Sequence, residues 1–327
     1  MKEIKWGLIG CGDISKKRVA PGLRDAENSK FISVNRSDFS KAESFAKEFD
    51  AKKWIKDWKD LVVDNDIDAV YIATPVYLHA EQTIAAAEAG KHVLCEKSMA
   101  LNTAEADKMI DACKANNVKL GIAYYRNLYP AVHRIKKIIE SGEIGKVVHI
   151  QSNNFENFNR QQGEPRYWLL EKKKSGGGPM MDMGCHRIEV FTNITGTVNQ
   201  VKSFNDNIVF KREVEDSSIA HFKFENGATG ILTSSHAVKE AKDTLDIYGS
   251  EGSIHVPVLN KGTITIVSSN GSRTEKHPNH PNVHQPLIED FIEAVLQDRK
   301  PAVSGETGRE ITKILDKIYS RELNQNQ

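Results

Sequence analysis

The first 125 residues alternate short apolar runs with segments of helical periodicity, and this alternation narrows the possible folds more than any other feature. The apolar runs have strand length: KWGLIGCG (5–12), KFISVN (30–35), DAVYIAT (68–74), HVLCEK (92–97) and KLGIAYY (119–125). Nearly continuous apolar strands that are joined through helices form parallel sheets with helices on both faces. The sequence therefore predicts a doubly wound parallel α/β sheet over residues 1–123.

The remaining residues, 124–327, have a different pattern. One helical segment, AVHRIKKIIESG, leads into β-type segments without helices between them, among them KVVHIQSNNF, SIAHFKFENGATGILTSSH, DTLDIYGSEGSIHV and GTITIVSS. ENGATG and SEGS have the composition of hairpin turns. We therefore predict a second α/β domain whose large sheet is mostly antiparallel. A length of 327 residues also favours two domains over one.

Charge and composition exclude several classes of function. The chain has 45 basic and 44 acidic residues, a net charge of +1, so it lacks the basic footprint of nucleic-acid or anionic-membrane binding. Neither a signal peptide nor a bilayer-spanning apolar stretch is recognisable, and we expect a cytoplasmic protein. The four cysteines are far apart and form no C-x-x-C pair, so we expect reduced core residues.

The first apolar run leads directly into GCGDIS, a glycine-rich strand-to-helix turn. Gly10 suits the tight turn, and Gly12 lets backbone N–H groups approach a pyrophosphate, while Ser15 stands where a third glycine is usual. At the first strand of five alternating units, this pattern indicates a nucleotide site. We predict that Gly10, Gly12, Asp13 and Ile14 bind a dinucleotide.

The end of the second apolar run, VNRSD, bears on which nicotinamide cofactor is bound. An NAD site usually has an acidic residue here for the ribose hydroxyls, whereas this chain has Arg36 and Ser37, which suit a 2′-phosphate. Arg36 could instead stack on the adenine or lie in solvent, and Asp38 could reach the ribose. We predict NADP(H) in preference to NAD(H), because a guanidinium matches phosphate geometry.

A second chemical motif is GGGPMMDMGCHRIE. The glycines followed by Pro179 predict a helix that begins there, with Asp182 and His186 four residues apart on one face and Glu189 one turn further on. A carboxylate that orients an imidazole is the arrangement a proton shuttle needs. An aspartate favoured by the helix dipole, a structural histidine and a metal pair are alternatives, but further metal ligands do not recur nearby, and we predict no metal.

Six segments occur here in the order and spacing of one enzyme family. They are GLIGCGDIS, ATPVYLHAE, CEKSMALN, AYYRNLYP, SGEIGKV and GGGPMMDMGCHRIE. Together with FIEAVLQDRKPAVSGETG near the C-terminus, they resemble the Gfo/Idh/MocA family of glucose-fructose oxidoreductases and inositol dehydrogenases. The resemblance implies an N-terminal Rossmann domain and a C-terminal α/β domain with a large open sheet that often contacts a partner subunit.

The resemblance also implies roles for individual residues. The family's Glu-Lys-Pro motif falls on Glu96, Lys97 and Ser98, so that serine replaces proline. Its loop beside the nicotinamide matches Thr74, Pro75 and His79, and its substrate-domain pair matches Asp182 and His186. Glu189 replaces the usual last aspartate of that helix, and Asn127 replaces a frequent second arginine, which leaves Arg126 as the only anion-binding candidate there. The substrate residues implied are Tyr125, Arg126 and Trp168.

Lys97 is predicted to act at the reacting carbon. Strand ends at the carboxyl edge of a parallel sheet face the ligand crevice, so its ammonium can stabilise negative charge on the substrate oxygen. Glu96 points the other way along the strand and is expected to brace the turn or contact the cofactor. Asp182 and His186 complete the predicted catalytic set, with His186 as the general acid and base.

The chain is thus predicted to be an NADP(H)-dependent oxidoreductase that acts on a sugar, cyclic polyol or similar polyhydroxylated compound. A glycosidase that retains its cofactor and a non-catalytic dinucleotide sensor are alternatives. Steady reduced-nicotinamide absorbance during turnover would indicate the glycosidase, whereas the intact Lys97, Asp182 and His186 argue against the sensor. We also expect a homo-oligomer, a dimer or tetramer, because the second sheet has helices for only one face.

Overall fold

The computed structural model describes residues 2–320, and these form two compact units. Among the described residues, the first unit comprises 2–125 and 280–312, and the second comprises 126–279 and 313–320. The described helices are α1 (Ala20–Asp25), α2 (Phe39–Glu48), α3 (Trp58–Val62), α4 (His79–Glu88), α5 (Thr103–Ala115), α6 (Pro130–Glu140), α7 (Lys172–Ser175), α8 (Cys185–Thr195), α9 (Gln285–Leu296) and α10 (Gly305–Tyr319).

The first unit contains a six-stranded sheet in the order β3-β2-β1-β4-β5-β6, and every neighbouring pair is parallel. Its strands are β1 (Ile4–Ile9), β2 (Ser29–Asn35), β3 (Lys53–Ile55), β4 (Ala69–Ile72), β5 (His92–Cys95) and β6 (Leu120–Ile122). From β1, the chain adds β2 and β3 on one side of the sheet and then β4, β5 and β6 on the other, as in a doubly wound dinucleotide-binding sheet. The predicted parallel α/β fold is confirmed.

Five of these strands coincide with the predicted apolar runs, and β3 was not predicted. It has three residues, all half-buried, at the edge of the sheet next to β2. An edge strand of this length shows neither an apolar run nor a regular alternation. It therefore gives no usable periodic signal in the sequence.

The segment 280–312 returns to the first unit, which differs from the prediction that all residues from 124 onward belong to the second domain. The reason is apolar packing by α9. The Phe291 ring lies 5.6 Å from the Trp6 ring, and a Cβ on Gly121 would come within 2.7 Å of Phe291. The C-terminal segment therefore completes the core of the first unit.

The second unit contains a nine-stranded sheet in the order β15-β14-β13-β12-β7-β10-β9-β8, with β11 also paired to β7. Its strands are β7 (Val147–Asn157), β8 (Val198–Asp206), β9 (Ser217–Phe224), β10 (Thr229–Ser235), β11 (Ala237–Asp243), β12 (Leu245–Gly249), β13 (Ser253–Val256), β14 (Thr263–Ser268) and β15 (Gly271–Lys276). Within this second sheet, β7 and β10 are the only described strands that pair in parallel. The mostly antiparallel sheet is confirmed, as are both predicted hairpins, β9–β10 and β12–β13.

Helices pack on one face of this sheet, whereas large apolar side chains are exposed on the other. Helix α8 packs against β7 and β10, and α6 packs against α8. On the other face, Phe204 of β8 lies opposite Ile219 of β9. Tyr248 of β12 and Val267 of β14 both lie opposite Ser253 of β13, which stands between them. The large apolar side chains of this face are exposed, Phe204 by 71%. Among residues 2–320, no helix combines the length and apolarity that crossing a bilayer requires.

Candidate active site

The glycine-rich turn follows the carboxyl end of β1. Gly10 has φ +95°, and a Cβ there would lie 2.7 Å from the Ala73 carbonyl oxygen, so only glycine fits. The Ser15 hydroxyl donates to the Gly10 carbonyl at 2.6 Å and is buried. A Cβ on Gly12 would have no neighbour within 4 Å, so this side of the turn is open to a ligand.

The residues that follow Gly12 lie on the surface of the same turn. Asp13 is exposed and pairs with Lys17 at 3.0 Å, while Ile14 is half-buried. A π-helical turn, Ser15–Val19, precedes α1. The predicted cofactor residues of this motif therefore surround one strand-to-helix turn at the sheet edge where ligands bind in doubly wound folds.

Arg36 lies beside this turn. Its Nη1 donates to the Cys11 carbonyl at 2.7 Å, and Ser37 next to it is exposed. Asp38, the alternative ribose ligand, is the N-cap of α2, where it accepts from the Lys41 backbone N–H at 3.2 Å. Hydrogen bonds from Lys41 and Ser40 lower the pKa of Asp38 to about 2. The tip of β2 therefore presents a guanidinium and a hydroxyl, with its carboxylate engaged in capping.

His79 joins the loops that follow β4 and β5. Its Nε2 lies 2.8 Å from the Thr74 carbonyl oxygen, and its Nδ1 lies 2.9 Å from the Ser98 carbonyl oxygen. The imidazole is buried, and Pro75 lies between Thr74 and the start of α4. The peptide bond between Lys97 and Ser98 is cis. His79 thus serves as a brace for the loop that carries Lys97.

A buried carboxylate precedes Lys97. Glu96 accepts from the Tyr71 hydroxyl at 2.9 Å, from His284 Nε2 at 3.1 Å and from the Lys97 backbone N–H at 3.3 Å. Burial raises the pKa of Glu96, but the hydrogen bond and charge of His284, the charge of Lys97 and the hydrogen bond of Tyr71 outweigh burial and lower it overall. Three hydrogen bonds therefore hold the buried Glu96 carboxylate at the turn that precedes Lys97.

His284 was missed by the sequence analysis. It is buried, comes from the returning C-terminal segment, and packs its ring 4.6 Å from that of Tyr125. It lies 188 residues from Glu96 along the chain. A lone histidine before a helix has no local pattern that identifies such a partner.

A glycine-rich segment of the second unit precedes Asp182 in the chain. Cβ atoms on Gly177 and Gly178 would lie 2.3 Å from the Tyr319 hydroxyl and 2.1 Å from the Glu215 carbonyl oxygen. Glu215 accepts from the Gly178 N–H at 2.8 Å and from the Tyr319 hydroxyl at 2.7 Å. Burial raises the pKa of Glu215 to about 7. The glycines therefore let the buried Glu215 and the half-buried Tyr319 hold this segment by hydrogen bonds to its backbone.

Asp182 and His186 follow, but the predicted regular helix from Pro179 is not what forms. Met180–Gly184 is a π-helical turn, and α8 begins at Cys185. The physical difference is an extra residue in the turn, a feature common at functional sites. Asp182 thus lies in the π turn and His186, which is buried, in α8.

The Asp182 carboxylate lies among polar side chains that the sequence analysis did not select. Arg166 Nη2 donates to Asp182 Oδ2 at 3.3 Å, and His236 Nε2 lies 3.8 Å from the same oxygen. Arg166 has φ +69°, just before the 3₁₀ turn Tyr167–Leu170. Trp168, a predicted substrate residue, is partly buried in this turn against the apolar cluster of Phe158, Leu169, Leu170 and Val214.

Two of the three departures from the family pattern, Asn127 and Glu189, contact each other. The Asn127 side-chain amide donates to Glu189 Oε1 at 2.6 Å. Glu189 is fully buried, and burial raises its pKa to about 7 against the opposing effects of Asn127, Arg126 and Lys136. Arg126 is buried as well. An asparagine in this position therefore hydrogen-bonds the longer glutamate without adding a charge.

The predicted site residues fall into both units. Lys97, Tyr125 and the cofactor residues belong to the first, whereas Arg126, Trp168, Asp182 and His186 belong to the second.

Comparison with known proteins identifies the family. Residues 4–124 match the model of the oxidoreductase family with an NAD-binding Rossmann fold, and residues 132–255 match the GFO/IDH/MocA C-terminal domain. Oxidoreductase P35 of Formosa agariphila is 33% identical over 319 residues, 96% of this chain and 98% of that protein. Levoglucosan dehydrogenase of Pseudarthrobacter phenanthrenivorans is 30% identical, over 78% of this chain and 73% of its own.

A solved structure of levoglucosan dehydrogenase in complex with NADH superposes with a TM-score of 0.88 at 25% identity, covering 98% of this chain and 97% of that one. The superposition covers nearly the whole chain and therefore residues of both units. The chain belongs to the Gfo/Idh/MocA family of NAD-binding oxidoreductases.

Proposed function

We propose that the enzyme transfers a hydride between NADP(H) and a secondary alcohol or ketone of a sugar or cyclic polyol. The observation that carries the proposal is the turn at Gly10 and Gly12, open to a ligand at the carboxyl end of β1 in a sheet of dinucleotide-binding order. Similar proteins named as levoglucosan dehydrogenase, 1,5-anhydro-D-fructose reductase and scyllo-inositol 2-dehydrogenase support the substrate class.

The cofactor, when bound, accepts or supplies the hydride. The backbone of the turn around Gly12 would hold its pyrophosphate, and Thr74 and Pro75 would contact its nicotinamide end. Lys97 hydrogen-bonds the reacting substrate oxygen and stabilises the negative charge that develops there. In the oxidation direction His186 takes the hydroxyl proton, so that the alcohol becomes a carbonyl and loses two electrons with the hydride.

The remaining proposed residues bind and orient the substrate. Asp182 accepts from a substrate hydroxyl and orients His186, while Tyr125, Arg126 and Trp168 bind the rest of the molecule. Glu96 holds Lys97 in place through the hydrogen bonds of its buried carboxylate. A positioned proton acceptor contributes about 10²- to 10⁴-fold to turnover.

A screen tests this proposal directly. Purified protein is mixed with NADP⁺ or NAD⁺ and a panel of levoglucosan, myo-inositol and scyllo-inositol, and with the reduced cofactors and 1,5-anhydro-D-fructose, while reduced-nicotinamide absorbance is recorded. We expect turnover of at least one compound, and its loss in His186→Asn. Absence of turnover across the panel with tight cofactor binding would refute the proposal and favour a sensor.

The NADP(H) preference rests on Arg36 and Ser37. A charge-assisted contact to a 2′-phosphate is worth about 1–3 kcal/mol, so Arg36→Ala should weaken NADPH binding about 5- to 150-fold and leave NADH nearly unchanged. Arg24→Ala is the matched control, because Arg24 is an exposed arginine of the same unit whose guanidinium pairs with the neighbouring Asp25. Equal weakening of both cofactors would contradict a phosphate-reading role.

We further propose a homo-oligomer that buries the uncovered face of the second sheet. Phe204, Ile219, Tyr248 and Val267 form the exposed apolar part of that face. A patch of large apolar residues on a sheet is typical of an interface. Light scattering at micromolar concentration should give at least a dimer, and Phe204→Glu should dissociate it. A wild-type monomer would refute the proposal.

A further inference from the structure

His236 is a fully buried histidine with a defined position between β10 and β11. Its backbone N–H donates to the Asp216 carbonyl at 2.8 Å, and its carbonyl accepts from the Phe158 N–H at 2.8 Å. The imidazole lies 5.0 Å from the Phe158 ring. Both backbone groups and one ring face are thus fixed, so the two ring nitrogens point in set directions.

One of these nitrogens faces a guanidinium. Arg212 Nη2 lies 3.1 Å from His236 Nδ1. A guanidinium has donors only, so Nδ1 must accept and must hold its lone pair toward Arg212. Arg212 is itself fixed, because it donates to the carbonyl oxygens of Phe158 at 3.0 Å and Glu215 at 2.7 Å. The ring proton of a neutral His236 is therefore on Nε2.

The Nε2–H group points toward the substrate residue proposed above. It lies 3.8 Å from Asp182 Oδ2, is buried, and has no hydrogen-bond partner within the described residues. Buried N–H groups without an acceptor are costly and rare. A small rotation of the Asp182 carboxylate brings Oδ2 within hydrogen-bond distance of this donor.

The same geometry argues against a metal ion. Glu156, Asp182 and His236 hold their potential ligand atoms within 4.8 Å of one another. A metal, however, needs the lone pair of Nε2, and this nitrogen carries the proton. The Arg166 guanidinium, 3.3 Å from Asp182 and 3.9 Å from Glu156, already supplies positive charge to both carboxylates.

We propose that His236 is a positioning residue for Asp182, and that Arg212 fixes it as the neutral Nε2–H tautomer whose donor orients the carboxylate. The inference rests on the proposed role of Asp182 in binding a substrate hydroxyl. The guanidinium beside Nδ1 occupies the acceptor nitrogen of the neutral ring, so the N–H donor of His236 is the Nε2 group that faces Asp182. The tautomer itself can be measured without any substrate.

Nitrogen-15 NMR of histidine-labelled protein at neutral pH tests the tautomer. The signals of His236 are those absent from the spectrum of His236→Gln, among the eleven histidines of the chain. We expect a protonated Nε2 and an unprotonated Nδ1, and loss of this fixed pattern in Arg212→Met. A proton on Nδ1 in the wild type, or an unchanged pattern in Arg212→Met, would overturn the proposal.

Two substitutions of His236 separate positioning from simple packing. Glutamine can offer an oxygen to Arg212 and an N–H to Asp182, whereas leucine fills space without either. With the polyol found in the screen, His236→Leu should lower kcat/KM about 5- to 150-fold, and His236→Gln should restore it to within about threefold of the wild type.

Cofactor affinity and the thermal midpoint serve as controls for folding of both variants. Equal losses in the glutamine and leucine variants, or none in the leucine variant, would overturn the positioning role. If no polyol of the panel is turned over, the proposed function fails, while the NMR measurement still decides whether Arg212 fixes the tautomer.

Discussion

Replacing Glu189 with glutamine should remove a pH-dependent part of the stability of the second unit. Glu189 is fully buried, and its pKa rises from 4.5 in the unfolded chain to about 7 in the folded protein. At 1.36 kcal/mol per pH unit, this difference corresponds to about 3 kcal/mol.

The sign follows from where the proton is held. Below pH 4.5, Glu189 is protonated in both the folded and the unfolded protein, and its contribution to the free energy of unfolding is fully present. As pH rises from 4.5 to about 7, the unfolded chain has lost its proton while the folded protein retains it, so stability falls through this range and then levels off. Glutamine cannot ionise, and its oxygen can still accept from Asn127, which lies 2.6 Å from Glu189 Oε1.

The assay is urea unfolding of the wild type and of Glu189→Gln at pH 5 and pH 8. We expect the stability of the variant relative to the wild type to increase by about 2.5 kcal/mol between the two pH values. Glu225→Gln, at an exposed glutamate after β9, is the matched control and should change little. A pH dependence identical in wild type and Glu189→Gln would refute the reasoning.

Three further changes give separate tests. Lys97→Ala and His186→Ala should each lower turnover about 10²- to 10⁴-fold. The proposal that both residues act on the same substrate oxygen predicts that the double variant loses less than the product of the two single losses, whereas fully multiplicative losses in a kinetic double-mutant cycle would mean that they act independently. Gly178→Ala places a Cβ 2.1 Å from the Glu215 carbonyl and should cost about 1–3 kcal/mol in urea unfolding with loss of turnover, whereas near-native values would show that the segment adapts. Tyr71→Phe removes a donor to a buried carboxylate and should cost about 1–3 kcal/mol, an outcome that an unchanged unfolding midpoint would contradict.

The sequence predicts those parts of the fold that repeat a local pattern. The second apolar run, 30–35, becomes Ser29–Asn35, and ENGATG becomes the β9–β10 hairpin, because burial periodicity and turn chemistry act over a few residues. The parallel sheet follows from the helices between its strands. β3 carries no such pattern, and the packing of Phe291 on Trp6 depends on chain segments far apart.

For the candidate site too, the sequence predicts residues that belong to local motifs but not their distant partners. Motif residues such as Gly10, Lys97 and His186 are recognisable from their neighbours in sequence. The side chains that hold their surroundings, His284 at Glu96 and Tyr319 at Glu215, are single polar residues at long separation. Nothing near them in the sequence marks a polar residue that becomes buried, since its partner appears only after the fold has formed.

The return of residues 280–312 to the first unit has a consequence for biosynthesis. The ribosome releases the strands of the first sheet early, but Phe291, which packs on Trp6, emerges only after the whole of 126–279. At about 5–20 residues per second, that delay is roughly 10–30 s. The nascent first unit therefore lacks the aromatic ring that covers Trp6 for as long as the second unit is being synthesised.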